Sequence, residues 1–178
     1  MSSLSDQSVL ATSLRTDTCG LLRSPDVGRT VRLGGWVHRS RDLGGLVFID
    51  LRDRTGLVQL AFGPAWSDAE TLRIAAAVGV ESVVLCEGEV VARELDRQNP
   101  DMLTGTIEVR VTSLRVVGPA VTPALPVARG RGEKMAAEEL RLRHRYLDLR
   151  RPELQENLVL RHRLLQVSRR FLSDRGYL

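Results

Sequence analysis

The segment Arg39–Phe62, RSRDLGGLVFIDLRDRTGLVQLAF, constrains the fold more than any other part of this 178-residue chain. It reads as two strands joined by a tight turn, with residues of opposite character on their two sides. Strand side chains alternate between faces. In Leu46–Leu51 the rule sets Val47, Ile49 and Leu51 against Leu46, Phe48 and Asp50. In Leu57–Phe62 it sets Val58, Leu60 and Phe62 against Leu57, Gln59 and Ala61. The first set of each strand belongs to a core. Phe48 and Gln59 are left on the opposite face, with Arg39 and Arg41 upstream. A ring to stack on, an amide for a base edge and cations for phosphate are what a sheet offers a single-stranded nucleic acid. A blander account also fits these residues: Gln59 as a solvated strand residue, and Arg39, Arg41, Arg52 and Arg54 meshed with Asp42, Asp50 and Asp53 in surface ion pairs worth little.

The charge distribution bounds how such a face could work. Residues 1–118 hold 13 Arg against 15 acids, a balance of −2, whereas residues 119–178 hold 12 Arg and Lys134 against 7 acids, a balance of +6. The first part therefore lacks long-range attraction for a polyanion and must bind one through a local patch. With 43% apolar residues the chain is globular. The apolar run Ile74–Val80 is far too short for a membrane span. Residues 1–14 contain no Lys or Arg, which fits neither a secretory nor a mitochondrial signal, and read as a disordered tail; a cytoplasmic location follows as an expectation. Cys19 and Cys86 stand apart from each other and from any Cys/His cluster, so buried thiols are expected rather than a zinc site or disulfide. His38, His144 and His162 are scattered among arginines and read as solvated surface residues.

Around the hairpin the remaining elements fall into order. Arg15–Gly28 is a short lead-in containing Cys19, Leu21 and Leu22. Val31–His38 is a first strand, and Gly34-Gly35 at its middle suggest a bulge that lets one strand serve two sides of a barrel. Arg39–Gly45 connects it to the hairpin, with turns at Gly44-Gly45 and Arg54-Thr55-Gly56. After Phe62 the period changes to 3.6: Ser67 and Glu70 form a capping box, Asp68–Val78 a helix, and Gly79 a left-handed stop. Strands over Ser82–Ala92 and Thr106–Val117 follow, separated by the polar loop Arg93–Gly105. Five strands with a helix between the third and fourth give the order of an OB-fold, a five-stranded Greek-key β-barrel.

Pro119–Pro126 contains three prolines and Val127–Lys134 is a mobile basic segment, so the organisation is tail 1–14, barrel 15–118, linker 119–135 and a helical unit 136–178. Ala136–Leu149 has helical propensity, and Arg151-Pro152 restarts a helix, Glu153–Asp174, that closes at Gly176. On that helix Leu160, Leu164, Val167 and Phe171 share one stripe, and Leu154, Leu158, Leu165 and Leu172 a second. Two stripes fit a helix wedged between its own sheet and something else, a further part of a chain or a second subunit. A wide apolar face on an ordinary helical hairpin fits the periodicity equally.

GWVHRSRDLGGLVFIDLRDRTGLVQLAF, TGTIEV at Thr104–Val109, RYLDLRRPE at Arg145–Glu153 and the closing LVLRHRLLQVSRRFLSDRGYL together resemble the N-terminal portion of bacterial aspartyl-tRNA synthetases, over nearly the whole chain after Arg15. The resemblance implies an OB-fold anticodon-binding domain, a helical hinge and the first helix of a class II α+β catalytic domain that dimerises through its first motif. By position, Phe48 matches the phenylalanine that stacks on the central anticodon base, Gln59 the glutamine that bonds it, and Arg41 an arginine near the anticodon. Arg93 and Glu108 match further loop and strand contacts. Leu43 stands where relatives that also charge asparagine tRNA often carry histidine, which implies stricter tRNA choice. The partner implied is tRNA(Asp), with a homodimer through Leu160, Leu164, Val167 and Phe171. ATP and Mg²⁺ are implied for the full-length enzyme. The chain stops just inside the first class II motif, so these residues are expected to hold no catalytic group and to lack aspartate activation on their own. The alternatives are a free-standing OB-fold binding module and the anticodon domain of a lysyl or asparaginyl relative.

Overall fold

The computed structural model describes residues 11–128 and 134–177, which divide into two compact units, one up to Thr122 and one from Pro123 onward. The first is a closed five-stranded barrel in the order β1-β2-β3-β5-β4, formed by β1 (Thr30–Asp42), β2 (Val47–Asp53), β3 (Gly56–Phe62), β4 (Val83–Ala92) and β5 (Ile107–Gly118). All pairs are antiparallel except β3–β5, which closes the barrel in parallel at Leu60 with Val109 and Ala61 with Arg110. The alternation expected of the hairpin is present: Ile49, Leu51, Val58, Leu60 and Phe62 are fully buried and Val47 nearly so. Helix α1 (Ala69–Ala77) lies between β3 and β4, burying Thr71 and Ala75. Closure removes the unpaired strand edges that an open sheet of this size would expose.

Four local expectations are corrected. The first strand runs to Asp42, so Arg39–Asp42 are sheet and not connection, and the register shift falls at His38, not at Gly34-Gly35. β1 does serve two sides, pairing with β4 over Thr30–Trp36 and with β2 over Trp36–Asp42. Gly35 is needed for close approach, since a Cβ there would lie 2.4 Å from the Arg52 carbonyl oxygen. The cap of α1 is Asp68, which accepts from the Thr71 N–H at 2.7 Å. Ser67 is unavailable for that task because its hydroxyl is buried and donates to the Val111 carbonyl at 2.7 Å. The left-handed residue after α1 is Glu81 (φ 65°), not Gly79. The turn at Gly44-Gly45 does use two positive φ values, 74° and 105°.

Glu81 holds that conformation because it is tied on both sides. Its N–H donates to the Val37 carbonyl at 2.7 Å, and its carboxylate accepts a fork from Arg52 at 2.8 and 2.9 Å. Arg52 also lies 2.8 Å from His38 Nδ1, so His38 is half-buried rather than a solvated surface residue. Burial, followed by the neighbouring charge of Arg52, lowers the His38 pKa to about 4. The unfolded chain, with an ordinary histidine near 6.5, binds this proton first, so stability present above pH 6.5 is lost as pH falls toward 4. Allowing for the ring's partial exposure, about 2 kcal/mol should be lost between pH 7.5 and 4.5. Urea unfolding of the wild type and of His38→Gln at both pH values should show this extra loss only in the wild type. Equal acid losses in the two proteins would contradict the assignment.

The lead-in forms two 3₁₀ turns, Cys19–Leu21 and Ser24–Asp26, with Cys19 and Leu22 in the barrel core. Both thiols are buried, and burial raises Cys19 well above its ordinary range and Cys86 to about 12, leaving them unreactive. Of the tail expected over 1–14, residues 1–10 lie outside the described residues, and 11–14 end in a turn where the Thr12 N–H donates to the Arg15 carbonyl at 2.8 Å.

In the second unit the supposed linker contributes to a small core. Leu125 and Val127 are buried against Leu147, with Ala136 and Leu140 packed beside them; residues 129–133 lie outside the described residues. Two short helices, α2 (Glu138–Arg143) and α3 (Arg145–Asp148), replace the single helix expected over Ala136–Leu149. The break at His144 (φ −111°, ψ 44°) positions Arg145 and Asp148. The Asp148 carboxylate is fully buried under Arg141 at 3.0 and 3.2 Å and Arg145 at 2.7 Å, and the Arg141 hydrogen bonds hold its pKa below the usual carboxylate range. Arg151, also buried, donates to the Pro126 carbonyl at 2.9 Å. Helix α4 (Pro152–Ser173) starts on its proline as expected and buries none of its residues. Its apolar stripes are open: Leu160, Leu164, Val167 and Phe171 are 53–67% exposed.

Candidate nucleic-acid interface

The outer face of β1, β2, β3 and β5 is a grid fixed by register. Arg41 pairs with Phe48 and Phe48 with Ala61; one row over, Arg39 pairs with Asp50 and Asp50 with Gln59. The parallel register of β3 and β5 places Glu108 beside Gln59. Phe48 is half-buried and outside the core, whereas its neighbours in sequence, Val47 and Ile49, are inside it. Its ring therefore stands on the outer face. Gln59 is its diagonal neighbour, roughly 7–8 Å away across the pair, and the small Ala61 lies directly opposite.

Polar residues chosen from the sequence for this face form one connected chain. Arg41 Nη2 donates to Asp50 Oδ1 at 3.0 Å and to Gln59 Oε1 at 3.1 Å. Gln59 Nε2 donates to Glu108 Oε2 at 2.9 Å, and Arg93 Nε lies 3.7 Å from the same oxygen. A donor at one end of the Gln59 amide and an anionic acceptor at the other permit only one orientation of that amide. Each end keeps unused capacity, a lone pair on Oε1 and a hydrogen on Nε2. The group is thus held ready for a base edge without having to be turned.

Within this connected chain charges balance, with Arg41 and Arg93 set against Asp50 and Glu108. Arg41 is half-exposed, while Arg93 is only 5% exposed in its side chain. Burial, opposed by Glu108 and Asp50, lowers the Arg93 pKa, yet a guanidinium stays charged throughout the physiological range. Its Nε and Nη2 have no hydrogen-bond partner among the described residues. A buried donor left in that condition costs free energy that a phosphate or carbonyl oxygen would recover.

Five of the residues chosen from the sequence, Arg41, Phe48, Gln59, Arg93 and Glu108, are thus brought to one face. Leu43 is not among them: it sits 68% exposed at the tip of the β1–β2 hairpin. Leu160, Leu164, Val167 and Phe171 belong to the other unit. Sequence reasoning passed over Asp50 as a site residue, although its alternation already placed it on the face of Phe48.

Comparison with known proteins bears on the fold that carries this face. Residues 31–117 match the OB-fold nucleic acid binding domain family, and residues 137–178 match the class II tRNA synthetases (D, K and N). An aspartate–tRNA(Asp/Asn) ligase of a Caulobacter species is 48% identical over 166 residues, covering 92% of this chain and 26% of that protein. An aspartate–tRNA ligase of Bacillus licheniformis is 46% identical over 164 residues, covering 92% of this chain and 27% of that protein. The chain thus spans about a quarter of the length of these curated relatives. In structure it is similar to the asparaginyl-tRNA synthetase of Pyrococcus horikoshii, with a TM-score of 0.73 and 29% identity over 89% of this chain and 34% of that one. The chain thus joins an OB-fold nucleic acid binding domain to a segment of the class II tRNA synthetase (D, K and N) domain, and over 92% of its length it is similar to aspartate–tRNA ligases.

Proposed function

We propose that this chain reads the anticodon of tRNA(Asp) as the N-terminal part of an aspartate–tRNA ligase. The observation that carries the reading is the ring of Phe48 standing outside the barrel core beside an amide, Gln59, whose orientation is locked by Arg41 and Glu108. Phe48 stacks on the central anticodon base and Gln59 reads its edge. Arg41 and Arg93 meet backbone or base oxygens, and Glu108 accepts from a neighbouring base. Leu43, at the hairpin tip, favours strict tRNA choice. The overall likeness does not separate strict from relaxed enzymes, since relatives of both names match about equally.

The parent reaction, ATP-dependent attachment of aspartate to the tRNA, belongs to the class II domain whose beginning residues 137–178 match. Among the described residues no group of three or more His, Cys, Asp or Glu is placed to hold a metal ion, and no step of that reaction is assigned to them. The open stripes of α4, with Leu160, Leu164, Val167 and Phe171, support a homodimer of the full-length enzyme through that helix. No described helix is long and apolar enough to cross a membrane; a cytoplasmic location is proposed along with the ligase reading. A free-standing binding module is disfavoured by the second match at 137–178.

A hairpin RNA carrying the aspartate anticodon tests the division of labour. Gln59→Ala should lose discrimination at the central base by about 1–3 kcal/mol, while Arg41→Ala should weaken cognate and base-swapped hairpins alike and flatten the salt dependence. Uniform losses across all hairpins for both variants would overturn the assigned roles.

A further inference from the structure

The outer face continues past Phe48 in a direction that no role above uses. Across β3 from Phe48 is Ala61, and across β5 from Ala61 is Arg110, two strand spacings or about 10 Å from Phe48. Beside this row, in the turn after β3, Trp66 is half-buried and its Nε1 donates to the Ala61 carbonyl at 3.0 Å, which fixes the indole. Trp66 and Leu46 both lie over Gly63, where a Cβ would come within 2.8 Å of either side chain. Leu46 precedes Phe48 by two residues on the same face. Phe48, Leu46 and Trp66 thus share this side of the barrel, the last two meeting over Gly63.

Arg110 completes the feature. Its guanidinium carbon lies 4.9 Å from the centre of the Trp66 ring, and the side chain is exposed. Arg41 and Arg93 are each tied to a carboxylate, whereas Arg110 makes no ion pair among the described residues. A guanidinium seated on an indole keeps its second flat side and its whole charge available. Such a plane stacks on nucleobases as an aromatic ring does, and adds attraction for the adjacent phosphate.

We propose that Trp66 and Arg110 form a second stacking subsite, which takes the base of a nucleotide flanking the one that lies on Phe48. The subsite rests on the anticodon reading proposed above and extends the recognised single strand by one base. Trp66 serves as a positioning residue, seating the Arg110 guanidinium over its ring while Arg110 touches the base.

The test uses the full 178-residue chain and the aspartate-anticodon hairpin, intact or with an abasic nucleotide on either side of the central base. Arg110→Ala should weaken the intact hairpin roughly tenfold, the scale of one lost stack. Arg110→Lys should lose nearly as much, because lysine keeps the charge but not the plane. One flanking abasic hairpin should bind the wild type more weakly than the intact hairpin, yet bind Arg110→Ala and the wild type alike. Restoration of affinity by Arg110→Lys would overturn stacking in favour of a phosphate contact. Abasic losses of equal size in wild type and Arg110→Ala would also overturn it. Phe48→Ala is the reference: if it weakens binding and Arg110→Ala does not, the subsite alone fails, and if neither matters the anticodon reading fails with it.

Discussion

Glu81→Ala should destabilise the barrel by about 3–5 kcal/mol, the usual cost of removing one partner from a buried ion pair. Both side chains are enclosed, Arg52 at 10% and Glu81 at 5% exposure, and the pair is a two-point fork. Without Glu81 the Arg52 guanidinium would be left against His38 and over the Trp36 ring, 5.8 Å from its centre, with no anion beside it. Glutamate and alanine are both strained at φ 65°, where asparagine is tolerated, so Glu81→Ala leaves the backbone cost unchanged. Glu81→Asn should therefore lose somewhat less than Glu81→Ala, the alanine loss measuring the broken pair and the difference between the two the strain that asparagine relieves. Replacing both partners with apolar residues, Arg52→Met with Glu81→Leu, should cost much less than the single changes combined. Urea midpoints at pH 7.5 report all of these, and a loss under about 1 kcal/mol for Glu81→Ala would mean that the pair is hydrated in solution.

Phe48→Ala and Phe62→Ala should separate binding from stability within one hairpin. The two phenylalanines lie in adjacent rows of β2 and β3 but face opposite sides of the sheet: Phe62 is fully buried and Phe48 half-buried outside the core. Phe62→Ala should cost about 3–5 kcal/mol of stability by opening a cavity among aliphatic neighbours. Phe48→Ala should leave most of the stability intact and lower affinity for the aspartate-anticodon hairpin by about 1–3 kcal/mol. Thermal unfolding and hairpin titration on the same preparations decide it. Unchanged affinity in Phe48→Ala, with a folded barrel, would remove the ring from the interface.

The hydrogen-bonded chain at the proposed interface is neutral, Arg41 and Arg93 against Asp50 and Glu108, which bears on how it would discriminate. Under that reading the carboxylates of Asp50 and Glu108 would repel a phosphate backbone that approaches in the wrong register. Affinity would then depend on stacking and on edge contacts that only the right loop supplies. A face built from arginines alone would bind more RNA and choose less well. The pairing of Arg41 with Asp50 also restrains a long side chain before binding, so less freedom is lost when the ligand arrives.

What could be read along the chain was whatever depends on neighbours in sequence. The two-residue alternation of β2 and β3 is a property of extended backbone, so it separated Val47, Ile49 and Leu51 from Phe48 and Asp50 without knowledge of any partner. The change to a 3.6-residue period marked α1 for the same reason. The tertiary structure decided everything that needs two distant segments to meet. Gly35 is required by the Arg52 carbonyl opposite, not by a bulge. Arg52 is paired with Glu81, 29 residues away, not with the nearby aspartates. Asp148 lies under arginines because a break at His144 turns the chain back, and Trp66 meets Arg110 only because β3 and β5 lie side by side. Local geometry is set by bonds and sterics within a few residues; the choice of partner is settled by barrel closure, which no short window contains.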